Sequence, residues 1–323
     1  MRRGRRVGRL VFAARVLAWL PLGLALVIVA SRERPDDPFA LEPPGPWMVR
    51  IPLAEQDETA LGLTQSGNQP ATVRVEFFAP AGQPPPRGWP LALILPGGGW
   101  SSGDPLRFRA AVNPLRAREL AVGLVALTPG RVDRPAWPRR LAEGRAVLRW
   151  VRERSVRVEV GAGDSADPPL FDPARVAVLG FGTGGHLAVF LGAEAGRLEP
   201  EARPNAVVAF APPVDLTPQA IGPTGPPLEP LLGRHASLEA RMDASPLGRL
   251  NAESAPLLLI HGGEDRHVPP DQTARLEARA RELGVRVERI VIPRGRHGLG
   301  VVWGTDDFSG RIRDFLELNA AYH

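Results

Sequence analysis

The stretch VAVLGFGTGGHLAVFLG, Val176 to Gly192, constrains the chain more than any other. A continuous apolar run bounded by turn residues reads as a buried strand, and four glycines in the next six positions read as a tight turn opening a helix. The reading is a strand over Val176 to Leu179 and a helix from about Gly184. A buried strand feeding directly into a buried helix needs a sheet covered on both faces.

The rest of the chain repeats that alternation. Thr72 to Phe78 alternates like a half-buried strand, and Leu91 to Leu95 is a short apolar run after a proline-rich turn at Pro80 to Pro90. Helical spacing from Arg107 to Leu120 precedes a strand at Val122 to Leu127, then a helix at Arg139 to Arg154. After the central motif come strands at Val207 to Phe210 and Leu257 to Ile260, a helix at Pro270 to Leu283, a strand at Val287 to Ile292 and a last helix at Phe308 to Leu318. Apolar runs separated by amphipathic helices predict an α/β fold with a mostly parallel sheet and helices on both faces. In such sheets ligand-handling residues gather on loops at the carboxyl ends of the strands. The segment 215–250, rich in proline and glycine, is read as a small lid or a surface excursion.

No cysteine is present, so disulfides and thiolate chemistry are excluded. All 40 basic residues are arginine, and the excess is local. Residues 1–34 hold eight arginines against Glu33, which leaves the remainder close to neutral, so no nucleic-acid partner is expected. Arg2, Arg3, Arg5, Arg6 and Arg9 precede an apolar run from Leu10 to Ala30 interrupted by Arg15. A basic flank before such a run orients it with its N-terminus in the cytoplasm. The expectation is an exported domain held at the membrane by a single N-terminal anchor, with a cleaved signal peptide as the alternative. Residues 35–70 read as a linker running into an edge hairpin, and 71–320 as one domain.

Four segments resemble the secreted esterases of the α/β-hydrolase fold, among them feruloyl-esterase-like and acetyl-xylan-esterase-like proteins. LILPGGGWSSGD, Leu93 to Asp104, is similar to the family's oxyanion loop, where glycines let backbone N–H groups approach a substrate oxygen. DPARVAVLGFGTGGHLA, Asp172 to Ala188, resembles the strand and nucleophile elbow of the pattern G-x-S-x-G. APLLLIHGGEDRHVP, Ala255 to Pro269, resembles the loop that carries the triad acid, and VIPRGRHGLG, Val291 to Gly300, the loop that carries the base. The resemblance implies Asp265 as acid, with Glu264 beside it as the competing carboxylate, and His297 as base. It implies Gly97, Gly98, Gly99, Trp100 and Thr183 around an oxyanion. The nucleophile position falls on Gly182, which has no side chain.

The family's reaction therefore meets a missing hydroxyl. One reading is an esterase scaffold, impaired or inactive, that still binds a small-molecule ester or carbohydrate ester. The other is a working hydrolase using Thr183, Ser101 or Ser102, or water activated by His297. His261 and His267 flank Asp265, but no third ligand follows from the sequence, so neither a metal nor a cofactor is expected. His186 reads as helix packing.

Overall fold

The computed structural model describes residues 46–54, 71–153, 171–194, 202–298 and 308–319. Eight strands form one sheet: β1 (Trp47–Pro52), β2 (Thr72–Phe78), β3 (Trp89–Leu95), β4 (Ala121–Ala126), β5 (Phe171–Phe181), β6 (Ala206–Phe210), β7 (Leu257–Gly262) and β8 (Val287–Ile292). Their order is β1-β2-β4-β3-β5-β6-β7-β8. The first two strands pair antiparallel, β2 pairs antiparallel with β4, and every other pair is parallel. The architecture is the α/β-hydrolase fold expected from the alternation.

Period-two alternation splits the strands between two cores. Leu91, Leu93, Leu95, Val176 and Val178 face one layer, while Ala92, Ile94, Ala177 and Leu179 face the other. The first layer holds α1 (Arg139–Glu153), α2 (Thr183–Ala193) and α3 (Asp271–Glu282). The second is covered by the segment Pro105–Arg116 and by α4 (Phe308–Asn319), which buries Phe308, Ile312, Phe315 and Leu316 at helical spacing. Helix α2 is buried at all eleven positions, which explains its near-uniform apolarity.

Several sequence expectations change. The helix read over Arg107 to Leu120 is a 3-10 turn, Pro105–Ala111, followed by a five-residue α-helix, Val112–Arg116. Asp104 accepts from the Leu106 amide to start the first piece, and Glu119 at φ 59° ends the segment. The expected edge hairpin is β1 with β2, so the sheet begins inside the stretch read as linker. The segment 215–250 forms short helical turns at Pro218–Ile221, Glu229–Leu232, Leu238–Asp243 and Pro246–Arg249. Leu216, Ile221, Leu228 and Leu231 from it pack on Trp100 and Ala136. Buried Gln272 in α3 pins its start, accepting from the amides of Val214 and Asp215 and donating to the carbonyls of Asp215 and Ala220.

The basic and apolar run at the N-terminus lies outside the described residues, as does most of the stretch 35–70. Among the described residues no helix is long and apolar enough to cross a membrane.

Candidate active site

The strand order changes direction at β3. The chain runs from β3 outward to β4 and returns to β5 on the other side, so loops following β3 and β5 open beside each other at the switch point. Leu95 at the end of β3 is in register with Gly180 of β5. That register brings the glycine loop Gly97–Gly99 against the turn Phe181–Thr183. A cleft of about 590 Å³ opens there, lined by Gly97, Gly98, Gly99, Gly182, Thr183 and His297 among others. Its apolar walls are Phe108, Phe181, Phe210, Ile260, Val268 and Ile292. Volume and lining are those of a small-molecule site.

Gly182 sits between β5 and α2 with φ 53° and ψ −115°, a left-handed conformation that a residue with a Cβ adopts only under strain. Its amide donates to the Phe210 carbonyl and its carbonyl accepts from the His186 amide. No side chain caps α2, so the first amides of the helix, beginning with Thr183, are left to face the cleft end.

Strands β7 and β8 deliver Asp265 and His297 from neighbouring positions. Asp265 follows β7 and is 6% exposed. One carboxylate oxygen accepts from the amides of His267 and Val268, and the other lies 2.7 Å from His297 Nδ1 and 3.4 Å from His261 Nε2. Burial works against the charged carboxylate, yet the hydrogen bonds from His261, His297 and Val268 outweigh it and hold Asp265 well below the usual carboxylate range. Glu264 is exposed on the same turn.

His297, in the loop after β8, gives its Nδ1 proton to Asp265, so Nε2 is the nitrogen turned toward Gly182. A Cβ built on Gly182 would stand 3.3 Å from that Nε2. A side chain there needs the imidazole to retreat by a few tenths of an ångström.

The linkage sign for Asp265 follows from its depressed value. Its contribution to stability is fully present above the ordinary aspartate value of 3.8 and is lost as pH falls below it. The stability advantage of the parent over Asp265→Asn is therefore expected to hold from about pH 7 to about pH 5 and to shrink as pH falls from there to about pH 2. Thermal melts of both proteins across that range check it, and an advantage unchanged at the acid end would refute it.

Other expected residues sort differently. Gly97, Gly98, Gly99 and Thr183 line the cleft, but Trp100 does not. At φ 60° and 1% exposure its indole turns away from the glycine loop, edge-on to His186, and joins the cluster beneath the 215–250 segment. The Trp100 amide donates to Thr183 Oγ1 at 3.4 Å. Ser101 donates to the Gly98 carbonyl, Ser102 accepts from the Asp104 amide, and neither serine lines the cleft. His261 is buried, with Nδ1 3.1 Å from Thr273 Oγ1 and Nε2 3.0 Å from the Val268 carbonyl, which makes it a strut of the acid loop. His267 stacks on His297 with ring centres 5.5 Å apart. Burial pushes the His186 imidazole down to about 4, opposed by its bond to the Ala244 carbonyl, and this neutral ring packs inside α2.

One residue behind the glycine loop has no counterpart in the sequence reading. Arg140, 2% exposed, donates to the carbonyls of Trp100, Ser102 and Thr128. Burial pushes its guanidinium down to about 10, still charged at neutral pH. Tying up carbonyls on the far side of the loop leaves its amides for the cleft. Glu143, one turn on, accepts from the amide and hydroxyl of Thr128 and from Arg139. Buried charges in an arginine-rich amphipathic helix give no sequence signal, because solvated arginines at the same spacing look identical.

The BD-FAE family model matches residues 76–280. "Probable carboxylic ester hydrolase LipM" of Mycobacterium tuberculosis is 27% identical over 199 residues, 57% of this chain and 43% of its own. Esterase LipQ of the same organism is 26% identical over 230 residues, 66% of this chain and 51% of its own. The chain thus spans about half the length of the curated relatives it matches. An acetyl ester-xyloside bifunctional hydrolase from Caldicellulosiruptor lactoaceticus superposes with a TM-score of 0.64 at 22% identity, covering 84% of this chain and 96% of that one. A truncated carbohydrate esterase from gut microbiota gives 0.65 at 19% identity, covering 87% and 99%. At those identities the superpositions show the fold. The family model spans more than half the chain, and the protein belongs to the BD-FAE family of α/β-hydrolase esterases.

Proposed function

We propose that this chain is an esterase scaffold whose nucleophile position is held by Gly182, and that it binds a small ester or carbohydrate ester without turning it over at the rate of a serine esterase. The observation that carries the reading is the alignment of three groups. Asp265 holds His297, and the other nitrogen of His297 points at Gly182, which has no side chain. In a serine hydrolase that nitrogen takes the proton of the attacking hydroxyl. Here the base has an orienting acid and an oxyanion loop beside it, but no hydroxyl in front of it.

Losing a nucleophile from such a constellation costs about 10⁶ in kcat and leaves about 10³–10⁴ over water from binding and oxyanion stabilisation. The parent is expected to hydrolyse p-nitrophenyl acetate near that residual level. Gly182→Ser supplies the decisive comparison. Fluorophosphonate labelling of the parent at Thr183, Ser101 or Ser102 would replace this reading with an active hydrolase using another hydroxyl.

The proposal includes export. Five arginines ahead of an apolar run direct the domain out of the cytoplasm, held there by the N-terminal segment. A C-terminal reporter should be inaccessible to cytoplasmic labelling in intact cells. Recovery of full-length chain in the soluble cytoplasmic fraction would overturn this part.

A further inference from the structure

The sheet ends on β8, and the outer edge of that strand is open. The Leu257 amide donates to the Arg286 carbonyl and the Gly263 amide to the Ile292 carbonyl, so Arg286 and Ile292 turn their backbone groups toward β7, and with them Glu288 and Ile290. Successive residues of a strand alternate in this respect. Val287, Arg289 and Val291 therefore point their amides and carbonyls away from the sheet, where no strand, loop or side chain meets them among the described residues.

Edges of this kind are normally blunted by proline, by a standing charge or by a covering element. The opposite edge of the sheet is blunted: β1 follows Pro46, ends on Pro52 and exposes Arg50. Strand β8 carries Glu288 and Arg289, but both are drawn back onto flanking helices, Glu288 to Arg311 of α4 and Arg289 to Glu277 of α3. What remains is the proline-free run VERIVI, rich in β-branched residues. Val291 on it is 41% exposed, and Leu318 of α4, beside its start, is 59% exposed.

A second copy of the chain fits this edge by symmetry. Turned antiparallel about a twofold axis through Arg289, one β8 sets Val287 opposite Val291 of the other and Arg289 opposite its own copy. In that register every outward amide meets an outward carbonyl. Each Arg289 charge stays with the Glu277 of its own chain. The ends also match in charge. Arg294, just past the carboxyl end of β8, and Asp314, in the groove at its amino end, are exposed and without an ion pair among the described residues. Antiparallel pairing carries Arg294 of one copy toward Asp314 of the other, at both ends of the joint.

We infer that the free edge of β8 is the interface of a homodimer of this chain, in which the two sheets join antiparallel into one. The strand so held is the one whose carboxyl end leads into the loop of His297, so the dimer braces that loop from outside the cleft.

The chain has no cysteine, so one introduced thiol reports one position. The test is oxidation of single-cysteine variants of the full chain in mild detergent. Arg289→Cys is expected to form an intermolecular disulfide, because facing residues of a hydrogen-bonded pair lie about 5.5 Å apart, within disulfide reach. Val287→Cys and Val291→Cys alone should form none, since each lies about 13 Å along the strand from its own copy, beyond the ~7 Å limit. Mixed together, those two variants should form the mixed disulfide, which tests the register even where Arg289→Cys fails to fold. By light scattering the parent should be a dimer. Val291→Pro removes an outward amide and no bond to β7, and should be a folded monomer. Asp314→Arg should weaken the dimer several-fold, and adding Arg294→Asp should restore it. A monomeric parent, equal crosslinking at positions 287, 289 and 291, or a dimer that persists in Val291→Pro overturns the inference, the last by placing association elsewhere on the chain.

Discussion

Gly182→Ser is expected to raise short-chain ester hydrolysis by at least about a hundredfold over the parent, a modest part of the ~10⁶ a nucleophile can supply. The backbone already has the conformation that a strand-to-helix turn imposes on an elbow residue, φ 53° and ψ −115°. A serine Cβ there would lie 3.3 Å from His297 Nε2, and its hydroxyl extends one further bond into hydrogen-bond range of that nitrogen. The base is already oriented by the 2.7 Å contact with Asp265. The oxyanion donors, Gly98, Gly99 and Thr183, line the same cleft. Two effects hold the gain below its ceiling. The imidazole must withdraw slightly to admit the Cβ, which its loop position and 31% side-chain exposure allow. Serine must also hold the strained backbone that glycine occupies freely, a loss of about 1–2 kcal/mol in stability. Activity should rise while the melting temperature falls, and a fluorophosphonate should label position 182. A folded variant with neither activity nor label would mean the cleft has diverged by more than one side chain.

How much of this was legible without coordinates depends on where the information sits. Strands β2 and β8 match their sequence limits to the residue, because alternation and bounding turn residues are local signals. The contact between Asp265 and His297 was also legible: they sit 32 positions apart, but the resemblance paired them and the loops after adjacent strands bring them together. What failed was non-local. Trp100 follows the glycine loop in sequence, yet a left-handed backbone at that position turns its ring into the cluster below the 215–250 segment. The helix over Arg107 to Leu120 had the right apolar spacing, Phe108, Val112 and Leu115, but its pieces differ in winding and the periodicity cannot report that. Arg140 and Gln272 hold loops from behind through backbone carbonyls and amides, partners that carry no residue identity to read.

Gly184→Ala is expected to destabilise the fold by more than about 3 kcal/mol. A Cβ at Gly184 would stand 2.1 Å from the Leu95 carbonyl oxygen and 2.7 Å from the Pro96 carbonyl group. These are backbone atoms at the end of β3, so no rotamer change relieves the overlap. Either α2 must lift off the sheet or the glycine loop must move out of the cleft. The first option uncovers a helix buried at every position, and the second pulls on carbonyls that Arg140 holds in place. Gly248→Ala is the matched control. Nothing lies within 4 Å of its Cβ, its φ is not in the left-handed region, and it should fall within about 0.5 kcal/mol of the parent. Denaturant midpoints of the two variants separate steric overlap from a generic cost of replacing glycine. The same substitution also probes the site. Placed in the Gly182→Ser background and assayed in conditions where the chain remains folded, Gly184→Ala should abolish the gained hydrolysis, because the loop displaced to admit its Cβ is the one whose amides must meet the oxyanion. Retention of that activity would show that the helix yields and the loop stays, and that the oxyanion donors do not depend on the close approach of α2 to β3.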